Sequence, residues 1–226
     1  MRPLPERMLD LPRRLRFLLF PARCPRCRAV LPPQKLLCAG CEAKLYREAV
    51  LRGFTICTAR EERSLTAAAV WDYDGAGRAM IHRYKFDGGI DARDALGAAM
   101  ACLAEEKLGT DFDLVTSVPS PPRRKKDLGF DHAGELAKRT ARELKLPYLP
   151  TLQRREDVEV QHKLRRRERL VNLKDAFTAV EDVQGKRILL VDDVVTTGAT
   201  LRECTLALYD AGAARVEAVC AASAGR

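Results

Sequence analysis

Two adjacent carboxylates are followed, near the end of the chain, by small hydroxyl residues and a glycine. The carboxylates are Asp192 and Asp193, and after two valines come Thr196, Thr197, Gly198, Ala199 and Thr200. A glycine lets the backbone approach a ligand closely, and threonine hydroxyls can donate hydrogen bonds to phosphate oxygens. Two carboxylates would repel phosphate, but they suit the hydroxyls of a sugar or a Mg²⁺ ion that enters with the ligand. The pattern therefore predicts a site for a sugar phosphate.

The elements on either side of this segment would place it at a ligand-binding edge. The apolar run Ile188–Val191 has the length of a buried parallel strand. From Ala199 to about Asp210 the apolar residues recur with helical spacing. Ligands of open parallel sheets collect at the carboxyl ends of the strands, and a helix N-terminus attracts phosphate. The alternative interpretation is an ordinary strand-to-helix turn in which a threonine is the N-cap.

Four cysteines near the N-terminus have the spacing of a metal site. Two CxxC pairs are separated by ten residues, and they comprise Cys24, Cys27, Cys38 and Cys41. Four thiolates complete a tetrahedral Zn²⁺ shell and leave no open position for chemistry, so this zinc would be structural. The alternatives are an Fe–S cluster and a redox pair, although a redox pair is expected beside a βαβ pattern that this segment lacks. The remaining cysteines are scattered singly and are expected to be small buried residues: Cys57, Cys102, Cys204 and Cys220.

Two basic segments are candidates for contact with an anionic ligand. The first follows a predicted strand and a run of prolines, and it contains Arg124, Lys125 and Lys126. A basic loop at the end of a parallel strand is well placed to meet pyrophosphate, and a solvated charge run is the alternative. The second segment, residues 161–170, could close over a ligand, lie on nucleic acid phosphates or form a solvated basic face. Between them, His132 is either an exposed helix residue or a functional one.

Periodicity predicts the other elements of an α/β fold. Short strands are expected at Phe54–Cys57 (inside a linker of residues 44–64), Leu65–Tyr73, Leu114–Val118 and Val216–Cys220. Helices are expected at Ala76–Phe86, Asp91–Leu108 and about Ala133–Leu146. Strands that alternate with helices favour a parallel sheet flanked by helices.

The composition narrows the class of protein. With 226 residues, 46% hydrophobic and 31% charged, we expect one ordinary globular domain and a small appendage. The net charge of +9 favours polyanionic partners, either nucleic acid or a phosphorylated substrate. No apolar run has transmembrane length and no signal peptide is recognised, so eight cysteines favour a reducing cytoplasm. Walker A, GxGxxG and GxSxG motifs are absent, which leaves a P-loop ATPase, a Rossmann dehydrogenase and a serine hydrolase without support.

The segment Val191–Thr200 resembles the signature of type I phosphoribosyltransferases, in which a hydrophobic strand, two acids and Thr-Thr-Gly-x-Thr follow one another. The resemblance implies that the acids hold the ribose 2- and 3-hydroxyls of phosphoribosyl pyrophosphate. It also implies that the loop holds the 5-phosphate. This resemblance is more specific than the acidic pair alone, because the complete pattern is present.

The whole chain is similar to the ComF/GntX family, phosphoribosyltransferase-like proteins associated with DNA uptake in bacterial competence. The shared features, in chain order, are the Cys₄ ribbon, Tyr73–Gly75, Ile81–Lys85, Val118–Pro119 with Gly129–Phe130, then Gln161, Leu164, Arg169, Asn172 and Phe177, and finally Asp192–Thr200. One departure is Leu128, where the family pattern Arg-Gly-Phe-Asn has a cation. A basic residue of the nearby loop would have to replace that cation, so the departure bears on catalysis more than on ligand binding.

The resemblance implies a division of the chain and two hypotheses for its function. The basic and apolar residues of Pro12–Phe20 predict a short amphipathic helix within residues 1–20. The resemblance places the zinc ribbon at residues 21–48 and the phosphoribosyltransferase-like domain at residues 65–226. The first hypothesis is a phosphoribosyltransferase that binds phosphoribosyl pyrophosphate with Mg²⁺ and transfers phosphoribosyl to a nitrogen acceptor, which no motif identifies. The second is a non-catalytic factor that binds single-stranded DNA or a competence protein.

Overall fold

The computed structural model describes residues 4, 21–32, 34–45, 47–59, 61–86, 89–121, 130–155 and 176–224. Twelve elements are described, and in chain order they are α1 (Ala39–Leu45), β1 (Val50–Cys57), β2 (Glu62–Asp72), α2 (Gly75–Phe86), α3 (Ile90–Lys107), β3 (Leu114–Ser117), α4 (His132–Leu144), β4 (Leu152–Arg154), β5 (Phe177–Ala179), β6 (Arg187–Val195), α5 (Ala199–Asp210) and β7 (Arg215–Ser223). The predicted amphipathic helix at 12–20 and the basic segment 161–170 lie outside the described residues.

Five strands form the main sheet, in the order β1-β2-β7-β6-β3. Strands β2, β7, β6 and β3 are parallel to one another, whereas the edge strand β1 is antiparallel to β2. Strands β4 and β5 form a separate antiparallel pair. The predicted α/β class with a mostly parallel sheet is therefore confirmed.

Strand β6 is buried on both faces, as its continuous apolar run predicts. Ile188, Leu189, Leu190 and Val191 are all fully buried. Successive side chains of a strand point to opposite faces. Leu189 and Val191 accordingly belong to one hydrophobic core, and Ile188 and Leu190 to the other.

Helices cover the two faces unequally. Buried residues of α2, α3 and α4 form the first core with one face of the sheet, whereas α5 and the β4–β5 pair form the second core with the other face. The cysteine-rich segment belongs to the first core, because Leu31, Leu36 and Leu37 pack in the same cluster as Trp71 and Met80. The ribbon therefore packs on the same side of the sheet as α2.

Helices α3 and α4 approach each other closely at Gly97. A Cβ atom added at Gly97 would lie 2.4 Å from Cγ and 2.6 Å from Cβ of Arg139. The hydroxyl of Thr140 donates a hydrogen bond of 3.3 Å to the Gly97 carbonyl. Because both helices lie against the sheet, this contact sets the distance between two of the three helices on that face.

Strands β1, β2, β6 and β7 all extend beyond their predicted ranges, and β6 and β1 show the cause. Strand β6 continues through the acidic pair, since Asp192, Val194 and Val195 stay in register with Cys220, Ala222 and Ser223 of β7. Strand β1 begins at Val50 rather than at Phe54, because β2 pairs with it along its whole length. In both cases the neighbouring strand supplies backbone hydrogen bonds that the periodicity of a single segment does not reveal.

The helix predictions agree with the structure to within two residues. Helix α4 ends before the predicted Leu146, because Lys145 adopts a left-handed conformation with φ of 57°. The N–H of Lys145 donates back to the helix carbonyls of Ala141 and Arg142, which is a typical way to satisfy the last turn.

Candidate functional site

The structure places the predicted phosphate loop at the carboxyl end of β6. Asp192 and Asp193 lie near the carboxyl end of that strand, the loop bends at residues 196–198, and α5 begins at Ala199. Gly198 is the N-cap residue, with a left-handed φ of 78°. Side chains other than glycine rarely adopt this conformation, so the turn depends on the residue type at this position.

Strand β1 packs against the loop and leaves no space for a side chain at position 198. A Cβ atom at this position would lie 2.2 Å from Cε1 of Phe54. The Arg52 side chain, two residues earlier on the same face of β1, donates to the carbonyl of Thr196. The Arg52 guanidinium also lies 5.4 Å from the centre of the Phe54 ring. These contacts tie the edge strand to the phosphate loop, and neither side chain was assigned to the site from the sequence.

The start of α5 is suited to an anion. No acidic residue lies in its first turn, and Gly198 supplies no side-chain cap. The hydroxyl of Thr197 accepts a hydrogen bond of 3.3 Å from the Ala199 N–H. The first N–H groups of a helix have no partner within the helix and carry the positive end of its dipole. The arrangement can therefore bind a phosphate group.

The acidic pair already includes one ion pair. The Lys85 ammonium lies 2.5 Å from Oδ2 of Asp193, and both side chains are less than a fifth exposed. Oδ1 of Asp192 accepts a hydrogen bond of 2.8 Å from the Asp193 N–H. Lys85 was not assigned to the site from the sequence, because α2 and β6 meet only in the folded chain.

A buried histidine fixes the backbone of Lys85. His132 is 3% exposed, so the prediction that it is an exposed helix residue is wrong. Its Nε2 lies 3.2 Å from the Lys85 carbonyl, and its ring packs against Phe130 with centroids 4.1 Å apart. The Tyr84 hydroxyl donates a hydrogen bond of 2.6 Å to the His132 carbonyl. Burial raises the pKa of Tyr84 well above its usual range, so the hydroxyl stays protonated as this donor.

Asp131 caps helix α4 next to the predicted pyrophosphate loop. Its Oδ1 accepts hydrogen bonds from the Gly134 N–H at 3.3 Å and from the Ser120 hydroxyl at 3.1 Å. These bonds connect the end of β3 to the start of α4. The loop residues assigned to pyrophosphate, Arg124, Lys125 and Lys126, lie outside the described residues.

The four ribbon cysteines come together as their spacing predicts. Their sulfur atoms all lie within 4.8 Å of one another, and the Sγ atoms of Cys27 and Cys38 are 3.5 Å apart. A tetrahedral ion with metal–sulfur bonds of about 2.3 Å requires sulfur separations of roughly 3.8 Å. The four cysteines can therefore bind a metal ion.

The thiols of the ribbon differ in acidity. The hydrogen bond from the backbone of Ala29 lowers the pKa of Cys27 to about 7, whereas burial raises the pKa values of Cys38 and Cys41. A metal ion would favour the thiolate form of all four. Of the scattered cysteines, three are buried as predicted, but Cys57 is exposed, because it ends the edge strand β1 on the solvent side.

The first CxxC turn is bonded directly to helix α2. Arg83 donates from Nε to the Pro25 carbonyl at 2.9 Å and from Nη2 to the Arg26 carbonyl at 3.1 Å. Arg26 itself is 7% exposed, forms an ion pair with Glu48 at 2.5 Å and lies 5.1 Å from the centre of the Trp71 ring. The ribbon is thus anchored to the element that carries Lys85.

Comparison with known proteins identifies the family. The model of the phosphoribosyl transferase domain matches residues 127–226. The chain is 34% identical over 161 residues to the DNA utilization protein YhgH of Salmonella typhimurium, and the match covers 67% of this chain and 69% of that protein. The chain belongs to the ComF/GntX family. A second member, the competence protein ComFC of Streptococcus pneumoniae, is 30% identical over 158 residues, with 70% of this chain and 68% of that protein covered.

Membership of the ComF/GntX family agrees with the mostly parallel sheet and with the cysteine cluster. Among solved structures, the glutamine phosphoribosylpyrophosphate amidotransferase from B. subtilis aligns with a TM-score of 0.44 and 24% identity, covering 62% of this chain and 30% of that chain. The predicted type I phosphoribosyltransferase-like sheet and the N-terminal cysteine cluster are confirmed. The described helices include none that is long and apolar enough to cross a membrane.

Proposed function

We propose that this chain binds phosphoribosyl pyrophosphate, together with Mg²⁺, at the carboxyl end of β6. The observation that carries the proposal is Gly198, a left-handed residue at the start of α5, placed just beyond two carboxylates on a buried parallel strand. The 5-phosphate would bind to the loop of residues 196–200. Asp192 and Asp193 would accept hydrogen bonds from the ribose hydroxyls, since a carboxylate is an acceptor only.

The donor set fits Mg²⁺ that arrives with the ligand. Mg²⁺ prefers oxygen ligands, retains several waters and is usually bound through one or two carboxylates and substrate phosphates. Asp192 and Asp193 would supply the carboxylates that share the ion with the diphosphate. When bound, Mg²⁺ would offset the negative charge of the leaving pyrophosphate.

The reaction that this site supports is phosphoribosyl transfer to a nitrogen acceptor. A C1–N bond would form as the C1–O bond to pyrophosphate breaks, and the nitrogen would lose a proton. The part of the chain would be to fix the ribose by its hydroxyls and its 5-phosphate, since holding two reactants in place can remove about 7–11 kcal/mol of a barrier. The buried strand beneath the acids provides the rigid support that this requires.

Calorimetric titration with phosphoribosyl pyrophosphate and Mg²⁺ tests the proposal. We expect Asp193→Asn to weaken binding at least tenfold, because the amide carries no charge and keeps only one of the two acceptor oxygens of the carboxylate. The matched control is Asp210→Asn, the same substitution at the exposed far end of α5. Undiminished binding by the Asp193 variant would refute the assignment, and equal loss in both variants would point to a general effect of charge.

We also propose that the ribbon binds one structural zinc ion through Cys24, Cys27, Cys38 and Cys41. The sulfur separations support this assignment. Metal analysis of the purified protein should give one zinc per chain, and Cys41→Ser should lose it. Cys57→Ser is the matched control and should keep the metal, because Cys57 lies outside the cluster. Iron or no metal in the wild type would contradict the proposal.

A second candidate function is binding of single-stranded DNA. The net charge of +9 and the names of the relatives, a DNA utilization protein and a competence protein, support it. Aromatic residues make up only 6% of the chain, so contacts with phosphates would dominate over base stacking. Affinity for an oligonucleotide should then fall steeply as salt is raised, and affinity that does not depend on salt would count against this function.

A further inference from the structure

The strongest feature beyond the predicted site residues is Lys85, whose ion pair with Asp193 is largely buried. We infer that Lys85 is a further ligand-binding residue: it contacts the diphosphate of phosphoribosyl pyrophosphate and is held in position by Arg83 and the cysteine ribbon. The inference rests on the proposed function of the same site. The inference assigns a cation to the ligand site. It also connects the cysteine ribbon to that site through the contacts of helix α2.

The charge balance of the site supports a role for this cation. The ligand would bring a diphosphate next to two carboxylates, and like charges at close range disfavour binding. The ammonium of Lys85 has three donors, and the contact with Oδ2 of Asp193 uses one of them. Both side chains are largely buried, so water screens the interaction less than at the surface. Lys85 can therefore keep Asp193 in place and donate to a phosphate oxygen.

The arrangement of the helices indicates which end of the ligand Lys85 meets. The phosphate loop leads into α5, whose Leu201, Cys204 and Leu208 belong to the core on one face of the sheet. Helix α2, whose Met80 and Tyr84 belong to the core on the other face, brings Lys85 from the opposite side. In phosphoribosyl pyrophosphate the 5-phosphate and the 1-diphosphate lie at opposite ends of the ribose. With the 5-phosphate at the loop and the hydroxyls at the acids, the diphosphate projects toward α2.

The backbone of Lys85 is fixed from two directions. His132 Nε2 contacts its carbonyl at 3.2 Å. Two residues earlier, Arg83 donates to the carbonyls of Pro25 and Arg26, which lie within the first CxxC turn. A metal ion bound by the four cysteines would hold these carbonyls in place. The ribbon then acts on the ligand site through Arg83, the last turn of α2 and Lys85.

Two ligands separate a contact with the diphosphate from an indirect effect on Asp193. Ribose 5-phosphate has the hydroxyls and the 5-phosphate but lacks the diphosphate. By calorimetry, we expect Lys85→Gln to weaken binding of phosphoribosyl pyrophosphate with Mg²⁺ at least tenfold and to change binding of ribose 5-phosphate by less than about twofold. Lys85→Arg should restore part of the loss, because it keeps the charge.

The same pair of ligands tests the positioning role of Arg83. We expect Arg83→Lys, which removes the forked contact with the two carbonyls, to weaken only the binding of phosphoribosyl pyrophosphate, by about three- to tenfold. Chelation of the ribbon metal, with the chelator removed by dialysis before Mg²⁺ is added, should produce the same selective loss. The matched control is Arg78→Lys, at an exposed position of the same helix, and it should leave both affinities unchanged.

The other possible results of these titrations would each contradict one part of the inference. Equal weakening of both ligands by Lys85→Gln would show that Lys85 only orients Asp193, and no weakening would exclude it from the site. If Arg83→Lys or chelation has no effect on either ligand, the route from the ribbon is wrong. Failure of the wild type to bind phosphoribosyl pyrophosphate would refute the proposed function and this inference with it, whereas wild-type binding with an unaffected Lys85 variant refutes the inference alone.

Discussion

The two ends of the parallel strands carry charged residues that are used differently. At the amino end, Arg187 begins β6 and forms several bonds to Asp113, including Nη2 to Oδ1 at 2.7 Å and its own N–H to Oδ2 at 2.8 Å. Arg187 also contacts Asp111. These hydrogen bonds hold the pKa of the Asp113 carboxyl well below its usual range. The charges at this end pair with one another across the starts of β3 and β6.

At the carboxyl end, the geometry is more specialised. Asp193 pairs with Lys85, which comes from a helix rather than from a neighbouring strand. The helix that follows has no acidic residue in its first turn, and its N-cap is a glycine in a left-handed conformation, which has no side chain to cap the helix. At the amino end of the sheet, charged side chains thus pair with one another and connect the starts of β3 and β6. At the carboxyl end, backbone N–H donors at the start of α5 face a candidate ligand site. Substitutions at the first end should change stability, and those at the second should change binding.

The largest effect should come from Gly198→Val. A side chain here meets the Phe54 ring and requires a strained φ, so we expect binding of phosphoribosyl pyrophosphate to fall by about 100-fold or more and stability to fall by about 1–3 kcal/mol. Calorimetry and thermal melting measure the two effects. Gly109→Ala is the control, because Gly109 also has a positive φ but has no atom within 4 Å of its added Cβ. It should lose stability alone, and a loss of binding there would break the contrast between the two ends.

A smaller effect, on stability and not on binding, is expected from Arg187→Met. It removes the hydrogen bonds to Asp113 at the amino end, so the Tm should fall by about 3 °C while the affinity for phosphoribosyl pyrophosphate stays unchanged. Differential scanning calorimetry and titration of the same sample provide both numbers. Arg187→Lys keeps the charge without the forked geometry and should lie between the two. Weaker binding in the methionine variant would mean that the two ends are not independent.

Thr197→Ala should have a modest effect at the carboxyl end. The change removes the hydroxyl that accepts from the Ala199 N–H, a cap-like bond of the kind that contributes about 0.5–2 kcal/mol. We expect a roughly two- to fivefold loss of affinity, with Thr197→Ser close to the wild type. Binding that is unchanged in the alanine variant would indicate that the loop keeps its shape without this bond.

The pH dependence of stability should give the smallest signal. The folded pKa of Asp113 is depressed, so its contribution is present above the unfolded pKa of about 4 and is lost as the pH falls through the lower folded pKa. The Tm difference between the wild type and Arg187→Met should therefore shrink below about pH 4. Because both proteins contain the same four cysteines, effects of acid on that cluster cancel in this difference. A constant difference would rule out the Asp113 pair as its source.

Local sequence pattern predicts the elements of this fold well, and contacts between distant segments explain what it missed. The strand Ile188–Val191 and the helix from Ala199 follow from apolar spacing alone, and both are present. Arg52 and Phe54 reach the phosphate loop only because β1 pairs with β2 and lies beside α5. The exposure of Cys57 has the same cause, because a cysteine on an edge strand faces solvent on one side.

The site shows the same division between local and non-local information. The acids, the glycine and the threonines are adjacent in sequence, so their common position at the end of one strand was predictable. Lys85 and His132 belong to different helices, and no periodicity indicates that the carbonyl of one meets the ring of the other. A signal was present for Lys85, since it ends the Ile81–Lys85 stretch that resembles the family pattern.

The close contact at Gly97 has a consequence for the position of α4. The atoms of Arg139 that approach Gly97 are Cβ and Cγ, so rotation about the outer bonds of that side chain cannot relieve a clash. A single methyl group at Gly97 would have to displace α4 as a body, and with it Asp131 and its bond to the Ser120 hydroxyl. The spacing of α3 and α4 therefore depends on a hydrogen atom at the one position of this contact where every other amino acid has a carbon atom.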